Sequence, residues 1–397
     1  MKSIFNSVGS NYTFSFAMQS LFAFGNKNTT ESLKKYLSKK YGGEPTLFYK
    51  GRNAIDYALR ISGIAHGKGV VICAYTCAVV PTAVKNAGYT PIYADINEKS
   101  LDFSFETFKN IYEKNGNIGA VIIQNTLGFT NDIKEFESFC RQNNIVLIED
   151  LAHSAGANYP DGREVGTVGD YTVLSFSQDK IIDAVSGGAL IVRTPNAMKA
   201  EINWKKVPFT VQFRDRFYPI FTWKVRNFYN IGIGRAIHYI FRKFKLLSVP
   251  LYSIEHTDFE ILPDWYTRLV LNRFKNLESD ILRRRMCARE YLKILPSELH
   301  CVVNEESIAR ATCLRIPLLV NDRNNLVAYF KVHRTYISDI WYDVPVSPKR
   351  YWHLFENENT EPVTRSVSSR MINFPTHMTL LSNDIERISE RFQKWKK

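Results

Sequence analysis

The sequence predicts an α/β fold: a large portion built on a mostly parallel sheet with helices on its faces, then a smaller α+β portion. Three observations carry this. Between residues 45 and 195 short apolar runs alternate with stretches of helical periodicity, the pattern of strands joined by crossover helices. The run Ile145, Val146, Leu147, Ile148 ends in Glu149 and Asp150, and the strand after it leads into a loop holding Lys180. An acid and a lysine thus meet the carboxyl edge, where α/β sheets bind ligands. From residue 314 the alternation resumes on a smaller scale, and 397 residues suffice for two such portions, read as 1–255 and 256–397.

Residues 1–48 form a polar lead-in whose best helix covers 30–37. Residues 47–59 read as a strand, a turn at Gly51 and a helix start, with Ala54, Tyr57, Ala58 and Ile61 on one face. A helix N-terminus presents free amide groups and seats anions, and Arg52 stands ready to add a guanidinium; alternatively it is an exposed cap residue. Residues 70–73 are a buried strand followed by Ala74, Tyr75, Thr76 and Cys77, with a helix from about Val79. Further strands are read at 88–96, 120–124, 145–148, 171–174 and 189–192, the last opened by Gly187 and Gly188. Residues 265–292 read as one long amphipathic helix, 314–320 as a strand, and 324–332 and 382–395 as helices.

Composition narrows the class. The six cysteines (73, 77, 140, 287, 301, 313) show neither a C-x-x-C pair nor a zinc-like spacing with histidine, so no metal is expected and the thiols read as reduced. Residues 1–16 lack a signal-peptide core, and no apolar run of 18 residues occurs, which points to the cytoplasm. The formal charge of +13 is concentrated: eight Lys or Arg stand between Arg214 and Lys245 against one acid, Asp215. That segment, within an aromatic and basic insert at 205–256, leaves two readings open. Phe217, Ile220, Phe221, Val225 and Phe228, then Ile233, Ile237, Ile240, Phe241 and Phe244, fall near helical spacing, as in basic helices that lie on anionic membranes. The other reading is an arm packed on a second subunit, its charges solvated. Nucleic acid is not expected, because no binding module accompanies the patch.

The chemistry that uses a strand-end acid with a lysine in the next loop is that of pyridoxal phosphate. The amine condenses with the cofactor aldehyde, and the carboxylate keeps the pyridine nitrogen protonated. Taken singly, His153 reads as a satisfied core histidine and Ser175 as a strand-end hydroxyl. Together, Glu149, Asp150, Ala152 and His153 (E-D-x-A-H), Gly169, Asp170, Ser175 and Phe176 (G-D-x-x-x-x-S-F), and Lys180 (S-F-x-x-x-K) resemble the DegT/StrS-type sugar aminotransferases. Arg284, Arg285, Ala288 and Tyr291, the segment 340–345, and the strand around Arg370, Asn373 and His377 continue the resemblance, which covers roughly 40–195 and 262–395.

That resemblance implies a fold-type-I pyridoxal phosphate transferase working as a homodimer. It implies Lys180 as the cofactor-bearing lysine, Asp150 on the ring nitrogen and His153 near the 3-hydroxyl. Ser175 falls on the phosphate with Gly51, Arg52 and Asn53, while Thr76 and Cys77 stand where the family has a threonine and a stacking aromatic. Tyr75 is the substitute considered for that aromatic. The activity implied is amino transfer, with glutamate as donor, to a keto-sugar that is usually nucleotide-linked, in surface-polysaccharide or secondary-metabolite synthesis. Two rivals are a sugar dehydratase, which would carry histidine in place of Lys180, and a membrane-associated assembly protein without turnover.

Overall fold

The computed structural model describes residues 2–195, 197–198, 200–244, 246–248, 258–297 and 301–396. Seven strands make the central sheet: β1 (Glu44–Phe48), β2 (Gly69–Cys73), β3 (Thr90–Ala94), β4 (Ile118–Ile123), β5 (Val146–Asp150), β6 (Tyr171–Ser175) and β7 (Gly188–Val192). Their order is β1-β7-β6-β5-β4-β2-β3. β3, β2, β4, β5 and β6 pair in parallel, and β7 runs antiparallel between β6 and β1. The parallel strands are continuous apolar runs because helices cover both faces, and an apolar cluster fills each face. The mostly parallel α/β class read from the sequence is therefore the one observed.

This topology places the site. β1 runs in the same direction as β6, so its end and the start of α1 (Gly51–Ile61) reach the edge where β5 ends in Asp150 and β6 in Ser175. A Cβ at Gly188 would come within 2.6 Å of the Gly51 Cα, and one at Gly51 within 3.1 Å of the Ser175 Cβ. Glycine at both positions lets the helix N-terminus sit directly on the strand ends.

The lead-in holds two helices, Phe14–Leu21 and Lys27–Tyr41, the second started by a reciprocal Asn26–Thr29 capping box. The segment read as one helix over 265–292 is two, Asp264–Lys275 and Leu277–Ile294. Asn276 breaks it: its side-chain amide donates to the Asn272 carbonyl and its N–H to that of Arg273, so the local bonds compete with helix continuation. In the C-terminal part, β8 (Arg315–Leu319) pairs antiparallel with β9 (Met371–Pro375). The N-terminal strand Ile4–Phe5 pairs with Thr335–Tyr336, stitching the first residues to this part. The expected boundary at 255/256 lies outside the described residues, as do Lys245 and 249–256 of the insert.

The insert forms α2 (Phe209–Asn227) and α3 (Ile233–Lys243). Some of its charges are internal. Asp215 accepts from the Tyr49 and Tyr266 hydroxyls, both at 2.6 Å. Arg226 donates to the Tyr12 carbonyl at 2.6 Å, and Arg216 to those of Leu21 and Ala23 at 2.9 Å. Among the described residues no helix is long and apolar enough to cross a membrane, and no group of three or more His, Cys, Asp or Glu could hold a metal ion.

Candidate active site

A cavity of about 490 Å³ opens at the carboxyl edge of the sheet, lined by Lys50, Arg52, Ser175, Lys180, Trp341 and Lys349 among others. It continues into an inner recess of about 50 Å³ reached by Asp150, His153, Cys77 and Tyr342. A wider hollow of about 670 Å³, lined by Phe22, Phe24, Asn26, Thr29, Arg268 and Asn272, contains neither an acid nor a nucleophilic thiol or amine. The chemistry lies in the smaller space.

Asp150 is buried at the end of β5, where its Oδ1 accepts the Ala152 N–H at 2.9 Å. Burial raises its pKa, and the Ala152 N–H and the Lys180 charge oppose the rise. Burial lowers the pKa of Lys180, partly offset by Cys77 and Asp150, so more of its amine is uncharged and nucleophilic than for a solvated lysine. Lys180 Nζ lies 3.1 Å from His153 Nε2 and 4.5 Å from the centre of the Trp341 ring. His153 is held neutral by burial and by the cations Lys180 and Arg315. The Leu127 N–H donates to its Nδ1 at 3.1 Å, which leaves the ring proton on Nε2, facing Lys180 and the Tyr342 hydroxyl at 3.3 Å.

Seven of the nine residues singled out in the sequence line the recess: Gly51, Arg52, Cys77, Asp150, His153, Ser175 and Lys180. Asn53 and Thr76 turn elsewhere. The Asn53 amide donates to the Asp258 carbonyl at 3.1 Å, and the Thr76 hydroxyl bonds to Gln124. Tyr75 does not stand in for the missing aromatic. It is buried behind Tyr342, with its hydroxyl 3.0 Å from the Tyr342 carbonyl. The rings that do face the cavity are Trp341, stacked on His153 at 5.3 Å, and Tyr342.

Other residues escaped the sequence reading. Lys50 precedes Gly51, lines the cavity, and has its pKa lowered to about 8 by burial; its Nζ donates to Ser186 Oγ at 3.0 Å. A cluster Lys50-Gly51-Arg52 at a helix start was the available signal. Asp183 left none. Its buried carboxylate accepts from Tyr12 (2.6 Å), Asn11 (3.1 Å) and the Asp179 N–H (2.8 Å), so the N-terminal segment fixes the loop that carries Lys180.

These residues fit pyridoxal phosphate on the structure's own terms. The recess has an acid at its floor with one carboxylate oxygen outside the Ala152 bond, and a desolvated amine at its wall. Beside them is a helix N-terminus brought close by two glycines and flanked by Lys50, Arg52 and Ser175. The molecule is thus an α/β protein whose carboxyl-edge recess fits pyridoxal phosphate. Residues 26–218, close to half of the chain, match the model of the DegT/DnrJ/EryC1/StrS aminotransferase family. It is 30% identical over 146 residues to the GDP-perosamine synthase of Vibrio cholerae, covering 37% of this chain and 39% of that protein. To the L-glutamine:2-deoxy-scyllo-inosose aminotransferase of Streptomyces kanamyceticus it is 26% identical over 145 residues, covering 36% and 33%. The chain therefore spans less than half the length of the curated relatives it matches. The fold continues further: a DegT DnrJ EryC1 StrS aminotransferase from Brucella abortus superimposes with a TM-score of 0.66 at 18% identity, over 96% of this chain and 95% of that one.

Proposed function

We propose that the protein transfers an amino group, with glutamate as donor, to a nucleotide-linked keto-sugar, in the synthesis of a surface polysaccharide or secondary metabolite. The observation that carries this reading is the convergence of buried Asp150 and half-buried Lys180 on one recess beside the N-terminus of α1. The names of the Vibrio and Streptomyces relatives, a GDP-perosamine synthase and an L-glutamine:2-deoxy-scyllo-inosose aminotransferase, support it.

Bound pyridoxal phosphate supplies an electron-withdrawing ring that accepts the charge left when a substrate carbon loses its proton. Lys180 bears the cofactor at rest. With the cofactor bound, its Nζ would be the group that takes up and returns the proton of the substrate carbon. Asp150 would hold the ring nitrogen in its protonated form, and the Nε2–H of His153 would serve as a donor toward the ring oxygen. Gly51, Arg52, Ser175 and Lys50 hold the phosphate. Asn53 and Thr76 act from behind, by fixing the start of α1 and the Gln124 amide. Trp341 offers the ring surface that Cys77 lacks.

The division into residues 1–255 and 256–397 is part of the same reading, supported by the separate β8–β9 sheet. So is a cytoplasmic homodimer: Phe22 and Phe24, 66% and 82% exposed at the rim of the wider hollow, are an apolar patch suited to a second copy. We place it at the inner face of a membrane, with the insert free to touch it.

The test is direct. Protein loaded with pyridoxal phosphate is treated with borohydride and mapped, then given glutamate or glutamine with a panel of nucleotide-linked keto-sugars. Labelling at Lys180 together with release of 2-oxoglutarate, or of its glutamine counterpart, supports the reading. A label on another lysine, or no amino transfer from either donor to any member of the panel, overturns it.

A further inference from the structure

We propose that the outer face of α2 and α3 seats the protein on an anionic lipid bilayer, with both helices lying in the headgroup layer. This is independent of the reaction at the sheet edge and would stand if that reading failed.

The face begins with phenylalanines four residues apart on α2, the spacing that stacks side chains along one helix stripe. Ring centres lie 6.5 Å apart from Phe209 to Phe213, 4.4 Å from Phe213 to Phe217 and 5.7 Å from Phe217 to Phe221. The ladder then crosses to α3, where Phe241 sits 4.4 Å from Phe221. α3 is held to the body along one narrow line. Gly234 is its buried residue, and a Cβ there would come within 2.2 Å of the Val225 carbonyl, so the helices touch backbone to backbone. Further apolar side chains turn outward: Phe209 is 78% exposed, and Ile233, Tyr239, Ile240 and Phe244 are exposed with it. An apolar stripe of this length is not what a surface meant for water carries.

The charge around the stripe selects the occupant. Lys224, Arg235, Arg242 and Lys243 are exposed on the same two helices. From 205 to 248 the one acid is Asp215, and it is buried against Tyr49 and Tyr266. A second copy meeting this face about a twofold axis would set Arg235, Arg242 and Lys243 against their own counterparts, and like charges there repel. An anionic bilayer meets both features at once. Aromatic and aliphatic side chains enter the headgroup boundary while the cations pair with lipid phosphates. Neither helix is long and apolar enough to cross, so contact is parallel to the surface.

The experiment is sedimentation of the full chain, loaded with pyridoxal phosphate, with vesicles of phosphatidylcholine alone or containing one-third phosphatidylglycerol. Binding is expected with phosphatidylglycerol at low salt, and should fall at high salt. The triple variant Arg235→Glu, Arg242→Glu, Lys243→Glu should bind at least about tenfold more weakly. Ile240→Ser with Phe244→Ser should weaken binding with every charge in place, and thermal melts check that both variants fold. The wild-type salt and lipid dependence keeps the test sharp even if a variant does not. Protein left in the supernatant with phosphatidylglycerol vesicles at low salt overturns the proposal, as does equal binding to phosphatidylcholine alone. Conversion of an oligomer to a monomer by the serine pair, read by light scattering, would assign the face to a second copy and equally overturn it.

Discussion

The carboxyl edge of the sheet and the α2–α3 arm are both rich in cations, and they use them in opposite ways. At the sheet edge Lys50, Arg52 and Lys180 line a cavity, where desolvation lowers their pKa values and makes an amine reactive. On the arm Arg235, Arg242 and Lys243 stand in water around outward-facing Ile240 and Phe244. Their charge acts there through its field, at a range set by salt. The arm also contains its own counter-example, since Arg226 is buried and spends its guanidinium on the carbonyl of Tyr12. Depth below the surface, rather than residue type or local density of charge, separates chemistry from attachment.

Substitutions at the edge should therefore cost activity, and those on the arm should not. The largest effect belongs to Lys180→Ala, which should lower turnover by on the order of 10³-fold or more and abolish borohydride labelling, with the far-ultraviolet circular dichroism unchanged. Asp150→Ala comes next, with a loss on the order of 10²- to 10³-fold measured in kcat. A folded Asp150→Ala protein with near-normal kcat would remove the acid from the mechanism. Asp183→Ala tests the support beneath the edge. It strands the Tyr12 hydroxyl and the Asn11 amide, and denaturant unfolding should show a loss of about 1–3 kcal/mol.

Asp179 gives a pH signature of the same support. Burial and the neighbouring Asp183 charge push its pKa from 3.8 up to about 7. A carboxyl raised on folding favours the fold fully below its unfolded pKa, so this contribution is lost as pH rises from about 4 through about 7. Asp179→Asn should flatten that part of the stability profile, raising the melting temperature at pH 8 relative to wild type and leaving it nearly unchanged at pH 4. The smallest effect sharpens the contrast. Charge reversal at Arg235, Arg242 and Lys243 should leave turnover of a water-soluble substrate within about twofold, as for surface changes generally.

What was legible in the sequence was whatever neighbours in the chain decide. Apolar runs bounded by turn residues form buried strands whichever partners they find, and an acid or serine closing such a run must stand at a strand end. Asp150, Ser175 and the start of α1 at Gly51 could be read that way. Lys180 could be placed in the loop after β6 for the same reason. Packing alone decided the rest. Tyr342 reaches His153 from 189 positions away, Tyr12 reaches Asp183 from 171, and no local pattern announces either contact. The split at Asn276 turned on side-chain bonds that compete with a helix the apolar spacing favoured. Which arginines of the insert lie inside and which face water followed from how α2 docks on the N-terminal helix, since a guanidinium has the same chemistry in both places until its surroundings remove the water.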